Sequence, residues 1–254
     1  MYQKSDYIAV FDSGVGGISV LRQLKKLMPN ERFLYYGDSA NAPYGTRPTE
    51  QVRKLTLEAV EQILCKSIKA LVVACNTATA AAILPLRQIY PNLIVVGIEP
   101  ALKPAVDQFP GGRIGVMATP VTLREEKFDA LLRRFENTAS VSKIPAPGLV
   151  ELIESGKTDE IEVEILLKSI LSPYIGKLDA LVLGCTHYPF TAKAIRNILG
   201  PQVVLIDGGE GTARETKRRL LEADLLYEGP GEVLWQNSAE NEALITLCKQ
   251  LLSQ

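Results

Sequence analysis

Seven short apolar runs rich in β-branched residues alternate with longer amphipathic segments, and no other pattern in the chain restricts its fold so strongly. The runs cover residues 8–12 (IAVFD), 33–38 (FLYYGD), 70–75 (ALVVAC), 93–98 (LIVVGI), 113–118 (RIGVMA), 180–185 (ALVLGC) and 203–207 (VVLID). A strand that is apolar at nearly every position must be covered on both faces, which calls for a parallel sheet between layers of helix. The expected class is therefore α/β. The best helical segment runs over 49–68, with Val52, Leu55, Ala59, Val60, Ile63 and Leu64 on one stripe and Thr49 as its N-cap. A second covers 159–175, with Ile161, Ile165, Leu166, Ile170 and Leu171 apolar, and residues 145–148 (PAPG) read as a loop.

An internal repeat lies within this alternation. ALVVAC at 70–75 aligns with ALVLGC at 180–185, and IAVFDS at 8–13 aligns with IGVMAT at 114–119. The two offsets are nearly equal, so the chain is expected to consist of two similar halves. Cys75 and Cys185 then occupy equivalent positions. The symmetry is incomplete around them: Asp12 aligns with Ala118, and His187 aligns with Thr77.

Both cysteines end an apolar strand and precede a helix, with Pro189 suited to an early position of the second one. In open parallel sheets ligands bind outside the carboxyl ends of the strands. Helix starts there favour anions and offer amide donors to a carboxylate. A free thiol ionises near about pH 8.5, so one of two opposed thiols can be thiolate while the other keeps its proton. That is a base and an acid for opposite faces of one carbon, and cofactor-free racemisation next to a carboxylate is the reaction that suits them. By contrast, Cys65 and Cys248 stand among leucines and are expected as small buried hydrophobes.

Composition excludes other classes. The chain has 254 residues, 46% of them apolar and 22% charged, with 28 Lys and Arg against 29 Asp and Glu. It is too apolar to be disordered and has no basic field for phosphate backbones. No apolar run approaches the roughly 18 to 20 residues of a membrane span. The first residues enter an apolar run by Ile8, which leaves no room for a signal peptide and points to a cytoplasmic address with free thiols. A single histidine rules out a three-histidine metal site. In DSGVGG the third glycine of a dinucleotide-binding turn is replaced by Ser19, and Asp12 or Ser13 could equally serve as a helix N-cap. Competing readings are a cysteine hydrolase using Cys185 and His187, a two-lobed binding protein, and a zinc site on Cys75, Cys185 and His187.

DSGVGG at 12–17, YYGDS at 35–39, PYG at 43–45, ACNTA at 74–78 and LGCTH at 183–187 together closely resemble the glutamate racemases of the aspartate/glutamate racemase family. The resemblance implies two pseudo-symmetric α/β domains with the active site in the cleft between them. Residues 1–97 with a returning segment, 209–254, would form one, and 98–208 the other. It implies racemisation of L- and D-glutamate without cofactor or metal, supplying D-glutamate for peptidoglycan, with aspartate or another small acidic substrate as the alternative. Cys75 and Cys185 match the acid/base pair, and Asp12 and His187 their assistants. Ser13, Tyr44, Gly45, Asn76, Thr77 and Thr186 match positions that hold the substrate, as do Thr119 and Thr122 in a threonine-bearing loop. Glu154 matches a third acid, with Glu151 as its competitor. The family also implies a homodimer and, in some members, a gyrase interaction; the charge balance and hydropathy give the expectation of neither nucleic acid nor membrane as a partner.

Overall fold

A computed structural model describes residues 2–124 and 126–254. The chain divides into two compact units, Met1–Glu99 with Gly209–Gln254 and Pro100–Gly208. In chain order the first unit begins β1 (Tyr7–Asp12), α1 (Ile18–Leu27), β2 (Arg32–Gly37), α2 (Thr49–Leu64), β3 (Ile68–Val73), α3 (Asn76–Ile89) and β4 (Ile94–Gly97). The second follows with α4 (Leu102–Gln108), β5 (Arg113–Ala118), α5 (Pro120–Arg124), α6 (Glu126–Arg133), β6 (Ser140–Pro145), α7 (Leu149–Glu154), α8 (Ile161–Leu171), β7 (Ala180–Leu183), α9 (Ala192–Leu199) and β8 (Val204–Asp207). The chain then completes the first unit with α10 (Gly209–Glu222), β9 (Glu232–Asn237) and α11 (Glu242–Ser253).

All strand pairs are parallel, in the orders β4-β3-β1-β2-β9 and β8-β7-β5-β6. The repeat read from the sequence is present in the pairing itself. Ile8 faces Ala70 and Val10 faces Val72 in the first unit; Ile114 faces Ala180 and Val116 faces Val182 in the second. Just beyond the strands, Ala74 N–H donates to Phe11 O at 2.8 Å and Gly184 N–H donates to Met117 O at 2.7 Å. Each catalytic candidate, Cys75 or Cys185, is therefore the second residue past its strand at an equivalent point of the ladder. In each sheet the order reverses between these two central strands, the place where α/β sheets open a crevice for a ligand.

Several local expectations are corrected. Pro48, not Thr49, holds the capping position of α2: its φ of −59° and ψ of 144° turn the chain in, and its carbonyl accepts from Val52 N–H. The helix stops at Leu64 because β3 begins at Ile68, so Cys65 caps the end and is exposed rather than in the core. Cys248 is buried as expected. α8 spans only Ile161–Leu171, since Pro173 lacks the N–H a further turn needs, and the chain passes into a 3-10 turn at Ser172–Tyr174. Its buried stripe is Val163, Leu167 and Leu171, while Ile161 and Ile165 face solvent. Two strands were absent from the sequence reading, β6 and β9. Both are edge strands with mixed exposure, so neither is a continuous apolar run.

A buried ion pair ties the returning segment to the first sheet. The Lys69 ammonium, at the start of β3, donates to Glu31 Oε2 at 2.6 Å, to Lys4 O and to Leu225 O, while Glu31 Oε1 accepts from Tyr227 N–H at 2.9 Å. Neither side chain reaches solvent. Burial pulls the lysine's pKa down, and the bond to Glu31 opposes that. Removing one partner leaves the other charge buried, so Lys69→Met is expected to cost about 3–5 kcal/mol in chemical denaturation. Lys69→Met/Glu31→Leu should recover part of that loss; a single variant as stable as the parent would contradict the assignment.

Candidate active site

The first group of residues is built where β1 and β3 end. Cys75 is extended (φ −74°, ψ 122°) and serves as the N-cap of α3, its Sγ accepting from Ala78 N–H at 3.5 Å. Amide dipoles at a helix start favour negative charge at that sulfur. Ser13 Oγ lies 3.5 Å from the same Sγ. Asp12 is fully buried and accepts from Gly14 N–H through Oδ1 at 3.0 Å. A Cβ on Gly17 would come within 2.6 Å of Asp12 Cβ, so the glycine there makes room for the acid. Asn76 and Thr77 occupy the first turn of α3 and are buried; the side-chain oxygen of Asn76 meets no hydrogen-bond donor among the described residues. An unpaired buried acceptor costs about 1–3 kcal/mol, which a ligand's donor would offset.

Tyr44 and Gly45 join this group from a 3-10 turn at Tyr44–Thr46, both buried. The Tyr44 ring packs on Phe11, and its hydroxyl donates to Asp38 Oδ2 at 2.6 Å. Burial, then the bond to Asp38, keeps the phenol protonated well above its ordinary range, with Cys75 and Asp12 close enough to add to the shift. The sequence reading missed Asp38. It is buried and also accepts from Asn41 Nδ2, so one carboxylate organises the loop that carries Tyr44. Its signal was available: Asp38 follows the apolar run FLYYG as Asp12 closes IAVF.

The second group is built differently. Cys185 is not followed directly by an α-helix; a 3-10 turn at Tyr188–Thr191 intervenes, containing Pro189, and α9 starts only at Ala192. His187 fills the space instead. Its Nδ1 lies 3.6 Å from Cys185 Sγ and its Nε2 lies 2.5 Å from Glu154 Oε1, at the end of α7. Glu154 is thus the carboxylate on the histidine, while Glu151, one turn earlier on α7, is exposed. Burial works against the imidazolium, but the hydrogen bonds to Cys185 and Glu154 outweigh it and hold the pKa well above 6.5. Thr186 is buried between them in sequence. Thr119 and Thr122 stand at the carboxyl end of β5 and bond to each other at 3.0 Å, with Thr119 Oγ1 accepting from Thr122 N–H.

Each unit thus presents one buried thiol with a separate polar helper at its sheet's ligand edge. The Asp/Glu/Hydantoin racemase family model matches residues 17–216. The chain belongs to this family. The glutamate racemase of Clostridium kluyveri is 49% identical over 251 residues, 97% of each chain. The crystal structure of glutamate racemase isoform RacE1 from Bacillus anthracis superposes with a TM-score of 0.88 at 30% identity, covering 99% of this chain and 96% of that one. The Escherichia coli glutamate racemase, solved with L-glutamate and the activator UDP-MurNAc-ala, gives 0.86 at 28% identity over 97% and 95%. Among the described residues no helix of the racemase is long and apolar enough to cross a membrane, and no group of three or more His, Cys, Asp or Glu could hold a metal ion.

The sole histidine makes the second group directly testable. In protein labelled with isotopic histidine, the one imidazole signal should titrate above 6.5, and Glu154→Gln should move that value down. Because the folded-state pKa is raised, the stability it contributes is complete below about pH 6.5 and is lost as pH rises through the folded value. A titration at or below 6.5 in the parent protein would refute the arrangement.

Proposed function

We propose that this racemase interconverts L- and D-glutamate without a cofactor, using Cys75 and Cys185 as the two acid/base groups. The observation that carries the reading is the equivalent position of the two cysteines, each the second residue past the matching strand of a repeated sheet. Relatives 49% identical along nearly the whole chain are glutamate racemases, which supports glutamate as substrate. By the same likeness, the D-glutamate formed would serve peptidoglycan synthesis.

In the proposed cycle one cysteine, as thiolate, removes the Cα proton and becomes a thiol. The electron pair left on Cα takes a proton from the thiol of the other cysteine on the opposite face, which becomes the thiolate. Cys75, helped by Asp12, acts on D-glutamate; Cys185, helped by His187 and Glu154, acts on L-glutamate. Thiols suit the task because both protonation states are accessible near neutral pH. The orphan oxygen of Asn76 supports a role as acceptor for the substrate ammonium. Thr77, Thr186, Thr119 and Thr122 supply donors for carboxylates, and Ser13, Tyr44 and Gly45 complete the substrate contacts. Fixed dipoles in a water-poor site stabilise the carbanion without reorganising.

Incubating either enantiomer in D₂O should give deuterium at Cα together with loss of optical activity. Cys75→Ala and Cys185→Ala should each reduce racemisation by about 10²-fold or more. Full turnover in either variant would overturn the two-cysteine reading, and faster turnover of aspartate than of glutamate would overturn the choice of substrate.

A further inference from the structure

We infer that the C-terminal strand β9 positions the substrate loop at residues 38–47, with Asn237 as the positioning residue. This rests on the reading that Tyr44 and Gly45 hold substrate. The family match ends at residue 216, so the strand lies outside it.

β9 lies beside β2 with Gly37 facing Asn237, and Ser238 N–H donates to Gly37 O at 3.0 Å. The loop leaves the sheet at that point. Asn237 Oδ1 accepts from Ala239 N–H at 2.9 Å, which fixes the amide so that Nδ2 donates to Ser39 Oγ at 2.9 Å. One residue on, Ala40 N–H donates to Ser238 Oγ at 3.0 Å. A Cβ at Gly37 would lie 3.1 Å from Asn237 Nδ2 and 2.6 Å from Gly14 O, so the absence of a side chain lets the amide pass over this position. β9 itself is anchored through Trp235 on Tyr35 and Glu232 on Arg32.

The loop has little apolar surface of its own to hold it. Among residues 39–47 only Tyr44 and Gly45 are buried, and the remainder are partly or fully exposed. Its inner side is held by Asp38, through Tyr44 and Asn41, with Arg47 Nε closing the turn on Asn41 O. Its outer side is held by Asn237 and Ser238. Releasing the outer side leaves the fold intact but lets residues 39–43 move, and the ordering cost is then met when substrate binds. Such a cost raises KM and leaves kcat nearly unchanged.

Ser39→Ala removes the bond from the loop side without touching β9, and Asn237→Ala removes it from the strand side. Each should raise KM for glutamate about 2- to 10-fold, the span of one ordinary hydrogen bond, with kcat within about twofold. The double variant should be no worse than the poorer single one, because both remove the same bond. Ser39→Thr, which keeps the hydroxyl, should restore the parent KM. Amide hydrogen exchange over residues 38–47 should quicken in both alanine variants. Unchanged exchange and unchanged KM, even with a lowered Tm, would overturn the proposal, as would KM effects that add in the double variant. Parent protein inactive on glutamate would defeat the functional reading instead, and loop exchange would then decide the clamp by itself.

Discussion

The parallel register of β1 with β3, and of β5 with β7, is the constraint on which the rest depends. These are the central strands of their sheets, buried on both faces, and a shift of one residue would turn every side chain to the opposite layer. Hydrophobic burial therefore fixes the ladder. The ladder in turn fixes where each chain leaves the sheet, and the candidate site residues stand at or just past that point: Asp12 at the end of β1 with Ser13 after it, Cys75 after β3, Thr119 after β5 and Cys185 after β7. The proposed reactive groups are positioned by the core and stand at the strand ends.

The two units meet the same requirement with different local physics. Around Cys75 the helix begins at once, and the Ala78 amide and the Ser13 hydroxyl face the sulfur. Around Cys185 the helix is delayed by a 3-10 turn, and His187 with Glu154 replaces the helix start as the polar partner. A buried charge is costly unless it is paired and hydrogen-bonded. The chain Cys185–His187–Glu154 satisfies both imidazole nitrogens and leaves only the carboxylate partly open to water. Asp38 plays a comparable part in the first unit, one buried carboxylate accepting from two loop donors, Asn41 Nδ2 across both oxygens and the Tyr44 hydroxyl.

What could be read in the sequence follows from periodicity. Strands covered by helices on both faces show as apolar runs, so seven of the nine strands among the described residues, the repeat and the two equivalent cysteines were all legible. Two of the four edge strands were not: SVSKIP at β6 and EVLWQN at β9 have mixed exposure and lack a continuous apolar run, whereas the edge strands β4 and β8 keep theirs. Cys65 sits beside a leucine in a helical pattern, yet the helix ends before it and turns the thiol outward. Glu151 and Glu154 are alike in sequence, and only the approach of His187 to the second tells them apart. Asp38 carried the same strand-end signal as Asp12, but its importance lies in what folds back onto it.

The sequence by itself determined the parallel α/β class, the duplication, family membership and the two cysteines as candidates, because these depend on local pattern and short motifs. Tertiary structure decided which carboxylate meets the histidine, that Asp38 holds Tyr44, and that a strand beginning 185 residues beyond Arg47 braces the loop before it. Such contacts join residues far apart in the chain, and the physical reason is plain: a hydrogen bond formed only after the sheet has closed leaves no periodic trace in the residues that make it.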